Sequence, residues 1–131
     1  LTAAPAFSGP GPDEVFRRNL AEGRFVIQLC GACRTHVFYP RSLCPHCGSA
    51  GLSTVPASGR GRVYSTSVNR RRPEAGGPIN IALIDLEEGP RLMSRVEGVA
   101  PDQVCMGMAV IARIRTDAGE PLLVFAPGGD D

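Results

Sequence analysis

Between Asp13 and Gly23 the apolar residues Val15, Phe16, Leu20 and Ala21 recur at helical spacing, which gathers them on one stripe of a helix. Asp13 stands where an N-cap belongs, Glu14 follows in the first turn, and Gly23 supplies the stop. A helix of about two and a half turns does not recover its nucleation cost in water, so its stripe must dock on the same chain or on a partner. Residues 1–12, LTAAPAFSGPGP, are rich in proline and glycine and read as an extended arm.

After Gly23 the period changes from helical to two. Phe25, Ile27 and Leu29 alternate with Val26 and Gln28 into Cys30, a strand pattern, and Val37, Phe38 and Tyr39 run toward Pro40 as a return strand. Residues 48–59 are Gly-, Ser-, Ala- and Pro-rich and read as a linker, with a domain boundary near residue 50. Five strand-like runs follow: Arg62–Asn69, Ile79–Leu86, Arg91–Glu97, Met108–Thr116 and Leu122–Ala126. Glu87-Glu88-Gly89-Pro90 and Asp117-Ala118-Gly119-Glu120 make tight reversals, and Arg70–Pro78 forms a longer loop. Such spacing suits a five-stranded Greek-key barrel of the OB type, with an open meander as the alternative. In the fourth run Met108, Val110, Ala112 and Ile114 share one face, and Arg113 and Arg115 take the other. The second run is apolar on both faces (Ile79, Ile81, Leu83 against Ala82, Ile84, Leu86), so its outer face calls for cover by the rest of the chain or by another chain. The expected organisation is mainly β: arm and short helix over 1–24, a metal-stapled hairpin over 25–50, and the barrel over 51–131.

Cysteine placement gives the hairpin its chemistry. Cys30, Cys33, Cys44 and Cys47 form two Cys-x-x-Cys pairs with ten residues between them in a chain with one further cysteine. Each pair wraps a tight turn around one side of a tetrahedral ion, and four thiolates make the closed set that zinc favours in structural sites. A disulfide pairing is the alternative for a secreted domain. Iron is another, since Cys44-Pro45-His46-Cys47-Gly48 also fits rubredoxins, but those bury iron in an aromatic-rich core and this chain has no Trp. His36 and His46 read as partners near the site, because four sulfurs already complete the shell. Arg34 and Arg41 are placed to offset the charge of a zinc tetrathiolate. Cys105, without a neighbouring His or cationic cluster, reads as core filler.

The 131 residues carry 14 basic and 13 acidic groups, a net charge of +1. That balance weighs against sequence-independent nucleic-acid binding, which needs a clear positive excess. Base stacking is also poorly supplied, with Tyr64 the single aromatic in the first three barrel strands. All basic residues are arginine, suited to two-pronged contact with phosphate or carboxylate. Arg70, Arg71 and Arg72 concentrate that capacity in the first barrel loop, beside the usual binding face of an OB barrel. No apolar run has the length of a membrane span and no targeting segment is visible, so a soluble cytoplasmic protein is expected. Neither a Ser-His-Asp set, nor paired carboxylates near a histidine, nor a phosphate-binding Gly loop ahead of a helix is present. Asp85, Glu87 and Glu88 sit at a turn as solvated charge. The chain alone is expected to turn over no substrate.

The order of motifs carries a resemblance. Leu29-Cys30-x-x-Cys33, Phe38-x-Pro40-Arg41, Cys44-Pro45-x-Cys47-Gly48, Ser58-Gly59-x-Gly61-x-Val63-Tyr64-Ser65, Glu88-Gly89-Pro90-Arg91, Gly107-Met108-x-Val110 and Phe125-x-Pro127 follow a short helix that ends in glycine. From about residue 13 to 127 the chain resembles the family that joins an N-terminal helix and a rubredoxin-like zinc ribbon to an OB-fold. That family, first described as nucleic-acid-binding, is linked to CoA thioester metabolism. The resemblance implies a non-catalytic accessory subunit with one structural zinc, bound to a thiolase, a thiolase-like aldolase or an acyl-CoA hydratase and helping to hold acyl-CoA. In such a complex Arg70, Arg71 and Arg72 would meet the CoA phosphates. A single-stranded nucleic-acid-binding OB protein is the alternative. Two departures stand out: Cys33-Arg34 replaces the usual Cys-Gly of the first knuckle, and the helix lacks the Trp frequent in the family. Neither removes a metal ligand.

Overall fold

The computed structural model describes residues 11–128, so all but the last two residues of the expected arm lie outside it. The chain divides between Pro56 and Ala57 into two compact units, each with its own sheet.

In the first unit, helix α1 (Pro12–Ala21) begins one residue before the expected cap. Pro12 occupies the first helical position, where its missing N–H costs nothing, and Gly11 is the N-cap. Asp13 therefore lies with Glu14 in the first turn, opposing the positive end of the helix instead of capping it. Gly23 adopts φ 84°, and two bonds close the helix end: Gly23 N to Leu20 O at 2.9 Å and Arg24 N to Asn19 O at 2.8 Å. The stripe docks within the unit. Phe16 meets Phe38 edge-on at 5.2 Å and Phe25 at 6.4 Å, with Phe25 and Phe38 6.3 Å apart, and Leu20 is buried.

The sheet of this unit has the order β2-β1-β3, from β1 (Val26–Cys30), β2 (His36–Val37) and β3 (Leu52–Pro56), all antiparallel. The third strand falls where the sequence reads as a linker. Its five residues pair with all five of β1, from Val26 opposite Pro56 to Cys30 opposite Leu52, so the sheet extends past the expected boundary near residue 50. Tertiary pairing outweighs the weak local signal of LSTVP, whose burial is only partial.

The second unit holds β4 (Arg60–Asn69), β5 (Ile79–Leu86), β6 (Arg91–Ser94), β7 (Ala109–Asp117) and β8 (Glu120–Pro127), in the order β6-β5-β4-β7-β8. Its edges approach through a parallel bridge between Val96 and Phe125, with Glu97 N donating to Phe125 O at 2.7 Å and Phe125 N to Arg95 O at 2.9 Å. The sheet thereby curls into a half-barrel of the OB type; the open meander is not formed. The third expected run splits here, pairing with β5 as far as Ser94 and then leaving it to meet β8.

β5 alternates without interruption: Asn80, Ala82, Ile84 and Leu86 are buried, and Ile79, Ile81, Leu83 and Asp85 are half-buried on the outer face. Val63, Leu92, Val110 and Phe125 complete the inner core. Asn80, the buried polar residue of this core, is fully used. Its amide donates to Thr66 Oγ1 at 2.7 Å and Ser67 O at 3.2 Å, and its carbonyl accepts from Val96 N at 3.0 Å, tying the closing segment to β4. Gly61 is required by close approach, because a Cβ there would lie 2.7 Å from Asp85 O. Cys105 is exposed and not core filler: the turn before β7 sends Val104 inward in its place. Among the described residues no helix is long and apolar enough to cross a membrane.

Candidate functional site

The two Cys-x-x-Cys turns share one pattern of backbone bonds. Cys30 N donates to Thr35 O at 3.0 Å and Arg34 N to Cys30 O at 2.8 Å; Cys44 N donates to Ser49 O at 2.8 Å and Gly48 N to Cys44 O at 2.8 Å. Each turn needs a left-handed residue after its second cysteine, which is Gly48 at φ 82° in one and Arg34 at φ 62° in the other. Backbone amides point at the sulfurs, Cys33 N to Cys30 Sγ at 3.5 Å and His46 N to Cys44 Sγ at 3.3 Å. Across the turns Cys30 Sγ lies 3.6 Å from Cys47 Sγ, and Cys33 Sγ 3.7 Å from Cys44 Sγ. All four ligand atoms fall within 4.8 Å of one another, and the cluster includes neither His36 nor His46.

Protons divide unevenly among Cys30, Cys33 and Cys47. The Cys33 amide beside Cys30, helped by the Ala32 amide and neighbouring thiols against desolvation, lowers the Cys30 thiol to about 6. Thr35, through its hydroxyl and its amide, lowers Cys33. At Cys47 the Ser49 amide favours the thiolate, but the Cys30 sulfur, burial and the remaining thiols outweigh it and push the group up to about 12. Four sulfurs so close cannot all ionise without a cation among them. The donor set, the tetrahedral span and the amides aimed at sulfur fit zinc, which would supply that charge.

The predicted hairpin is locked by a residue whose role the sequence pattern does not signal. Gln28 donates to Arg41 O at 2.8 Å and accepts from Arg41 N at 2.8 Å, pinning the backbone of Arg41 to β1. Pairing of a strand glutamine with a loop backbone needs the folded register to become visible.

Arg70, Arg71 and Arg72 follow β4 but do not converge. Arg71 turns back on its own loop, its Nε donating to Gly77 O at 2.8 Å. Arg72 lies 3.9 Å from Glu74, and Arg70 is exposed. The turn carboxylates are engaged rather than merely solvated: Asp85 binds Arg91 at 2.6 Å, Glu88 accepts from Ser58 N at 2.6 Å, and Ser58 followed by Arg60 holds the Glu87 carboxyl below the usual range.

Comparison with known proteins adds family evidence over most of the chain. Residues 18–53 match the family model for the ChsH2 rubredoxin-like zinc ribbon domain, and residues 54–115 that for the ChsH2 C-terminal OB-fold domain. A probable enoyl-CoA hydratase alpha subunit of Thermomonospora curvata is 42% identical over 79% of this chain, which spans 34% of that protein. A DUF35 domain-containing scaffold protein of Methanocaldococcus jannaschii is 34% identical over 82% of each chain. Among solved structures, one described as the Ltp2-ChsH2(DUF35) aldolase superposes with a TM-score of 0.79 at 36% identity, covering 95% of this chain and 98% of that one.

Proposed function

The chain belongs to the DUF35 family of zinc-ribbon and OB-fold proteins, and from that membership we propose that it is a non-catalytic accessory subunit of an enzyme acting on CoA thioesters. The partner is a thiolase, a thiolase-like aldolase or a hydratase subunit. One observation carries this reading: near end-to-end superposition on the chain of a solved structure described as the Ltp2-ChsH2(DUF35) aldolase. The similarity of its residues to an enoyl-CoA hydratase alpha subunit supports the same substrate class.

Within that role Cys30, Cys33, Cys44 and Cys47 hold one structural zinc, and the four sulfurs leave the metal no position for substrate. Zinc-bound thiolates suit a cytoplasmic setting, where thiols stay reduced. Arg70 and Arg72 supply the contact to CoA phosphates, and Arg71 holds their loop in shape through Gly77 O. The test is coexpression with the host's thiolase, thiolase-like aldolase and hydratase subunits, followed by mass measurement of the eluting species. A stoichiometric complex that processes an acyl-CoA is expected, with no turnover by this chain alone. Elution as a lone monomer beside every one of these enzymes overturns the reading, and so does tight single-stranded nucleic-acid binding at physiological salt.

A further inference from the structure

The outer face of β4, β5 and β6 has two halves set by strand register. In the rows nearest the loop of Arg70–Arg72, Ile81 stands opposite Ser67, and Leu83 stands between Ser65 and Met93. Ile79, Ile81 and Leu83 are half-buried and Met93 is 61% exposed. Ser65 and Ser67, their register neighbours on β4, add little bulk to this strip. In the adjoining row Asp85 stands between Arg62 and Arg91.

The charges of that row are unequally satisfied. Arg91 is neutralised by Asp85 at 2.6 Å and lies 3.4 Å over the ring of Tyr64, and outside the row Arg60 pairs with Glu87 at 3.4 Å. Arg62, across the strand from Asp85, pairs with no carboxylate among the described residues; its Nη1 donates to Gly107 O at 3.0 Å. It borders an open groove of about 480 Å³ that is lined also by Arg60, Glu87, Ala109 and Gly128.

We propose that this face is the surface that receives the partner enzyme, with the apolar strip of Ile79, Ile81, Leu83 and Met93 at its centre and Arg62 taking a carboxylate of the partner. The proposal rests on the accessory-subunit reading and names the surface that executes it. An apolar centre with a polar border is the ordinary anatomy of a protein interface. Exposed apolar strips of this kind on a folded domain mark interaction sites. The stacked Tyr64–Arg91 pair belongs to the residue types that anchor such interfaces, and its charge is already balanced by Asp85. The one guanidinium of the row without a carboxylate sets the charge the partner must bring.

The host thiolase, thiolase-like aldolase or hydratase subunit that coelutes with the chain on coexpression is purified and titrated with the wild-type chain and with the variants Arg62→Glu and Met93→Asp, each checked for wild-type zinc content and melting. Both sites are exposed, so the fold is expected to survive; a variant that fails these checks is replaced by Arg62→Ala or Met93→Ser. The expected result is at least tenfold weaker association for each variant, with a flatter salt dependence for the Arg62 variant. Wild-type affinity in the Arg62 variant overturns the carboxylate contact, and wild-type affinity in the Met93 variant overturns the apolar one. Because the titrated enzyme is one that coelutes with the wild-type chain, these outcomes bear on the surface, whereas absence of any coeluting enzyme overturns the accessory-subunit reading on which it rests.

Discussion

Arg34 and Gly48 occupy equivalent places in the two cysteine turns, and only one of them is suited to the backbone it adopts. A left-handed conformation costs a non-glycine residue roughly 1–2 kcal/mol, while glycine gives back about 0.5–1 kcal/mol through its freer unfolded chain. Arg34→Gly is therefore expected to stabilise the ribbon unit by about 0.5–1 kcal/mol, read as a higher denaturant midpoint. Arg34→Ala, which removes the charge and keeps φ 62°, should give no such gain, and that contrast separates backbone strain from electrostatics. The sequence shows the departure from Cys-Gly at this position. Its energetic sign follows only from the positive φ.

At the scale of elements, helix α1 and β3 illustrate opposite limits of local signal. The helix was readable because its stripe and its glycine stop agree with the Phe16 contacts and the bonds that end it. β3 was not, because its residues become a strand through pairing with β1 and not through a pattern of their own. The loop of Arg70–Arg72 lies between these cases: its charge was legible, the inward turn of Arg71 was not. Replacing Arg70 and Arg72 together by Ala is expected to raise the KM for acyl-CoA in the assembled enzyme several-fold and leave complex formation intact. An unchanged KM removes the loop from CoA binding. Arg71→Ala should instead loosen the loop, since it deletes the bond to Gly77 O.

Across the whole molecule the two units are held by different means. The barrel unit buries a continuous apolar core around Ile84, Leu92, Val110 and Phe125. In the ribbon unit, by contrast, two of the cysteines, Cys30 and Cys44, belong to a small buried cluster with Val37. Metal-folded peptides draw about 10–16 kcal/mol from zinc, so the ribbon depends on the ion far more than the barrel does. Chelation, or Cys44→Ser, should unfold the first unit and leave the second native. Hydrogen exchange would show lost protection over β1–β3 and retained protection over β4–β8, and elemental analysis would show about one zinc per wild-type chain. Full zinc content in the Cys44→Ser protein would contradict the assignment.

What the sequence by itself determined is what local chemistry enforces. Cysteine spacing points to one four-sulfur cluster because two Cys-x-x-Cys turns can face each other across a hairpin, and the apolar run Ile79–Leu86 reads as a strand, although which of its two apolar faces is buried is decided by the fold. Gly89 and Gly119 mark reversals because the backbone there takes positive φ. Everything that depends on which segments meet was left to tertiary structure. Register placed Arg62 beside Asp85 without a carboxylate of its own among the described residues and gave Asn80 two partners on β4 and one at Val96, in the segment that follows β6. The turn ahead of β7 sent Val104 inward and left Cys105 exposed. Pairing across sequence separations sets these contacts, and a one-residue shift of register would exchange the buried and outer faces of a strand.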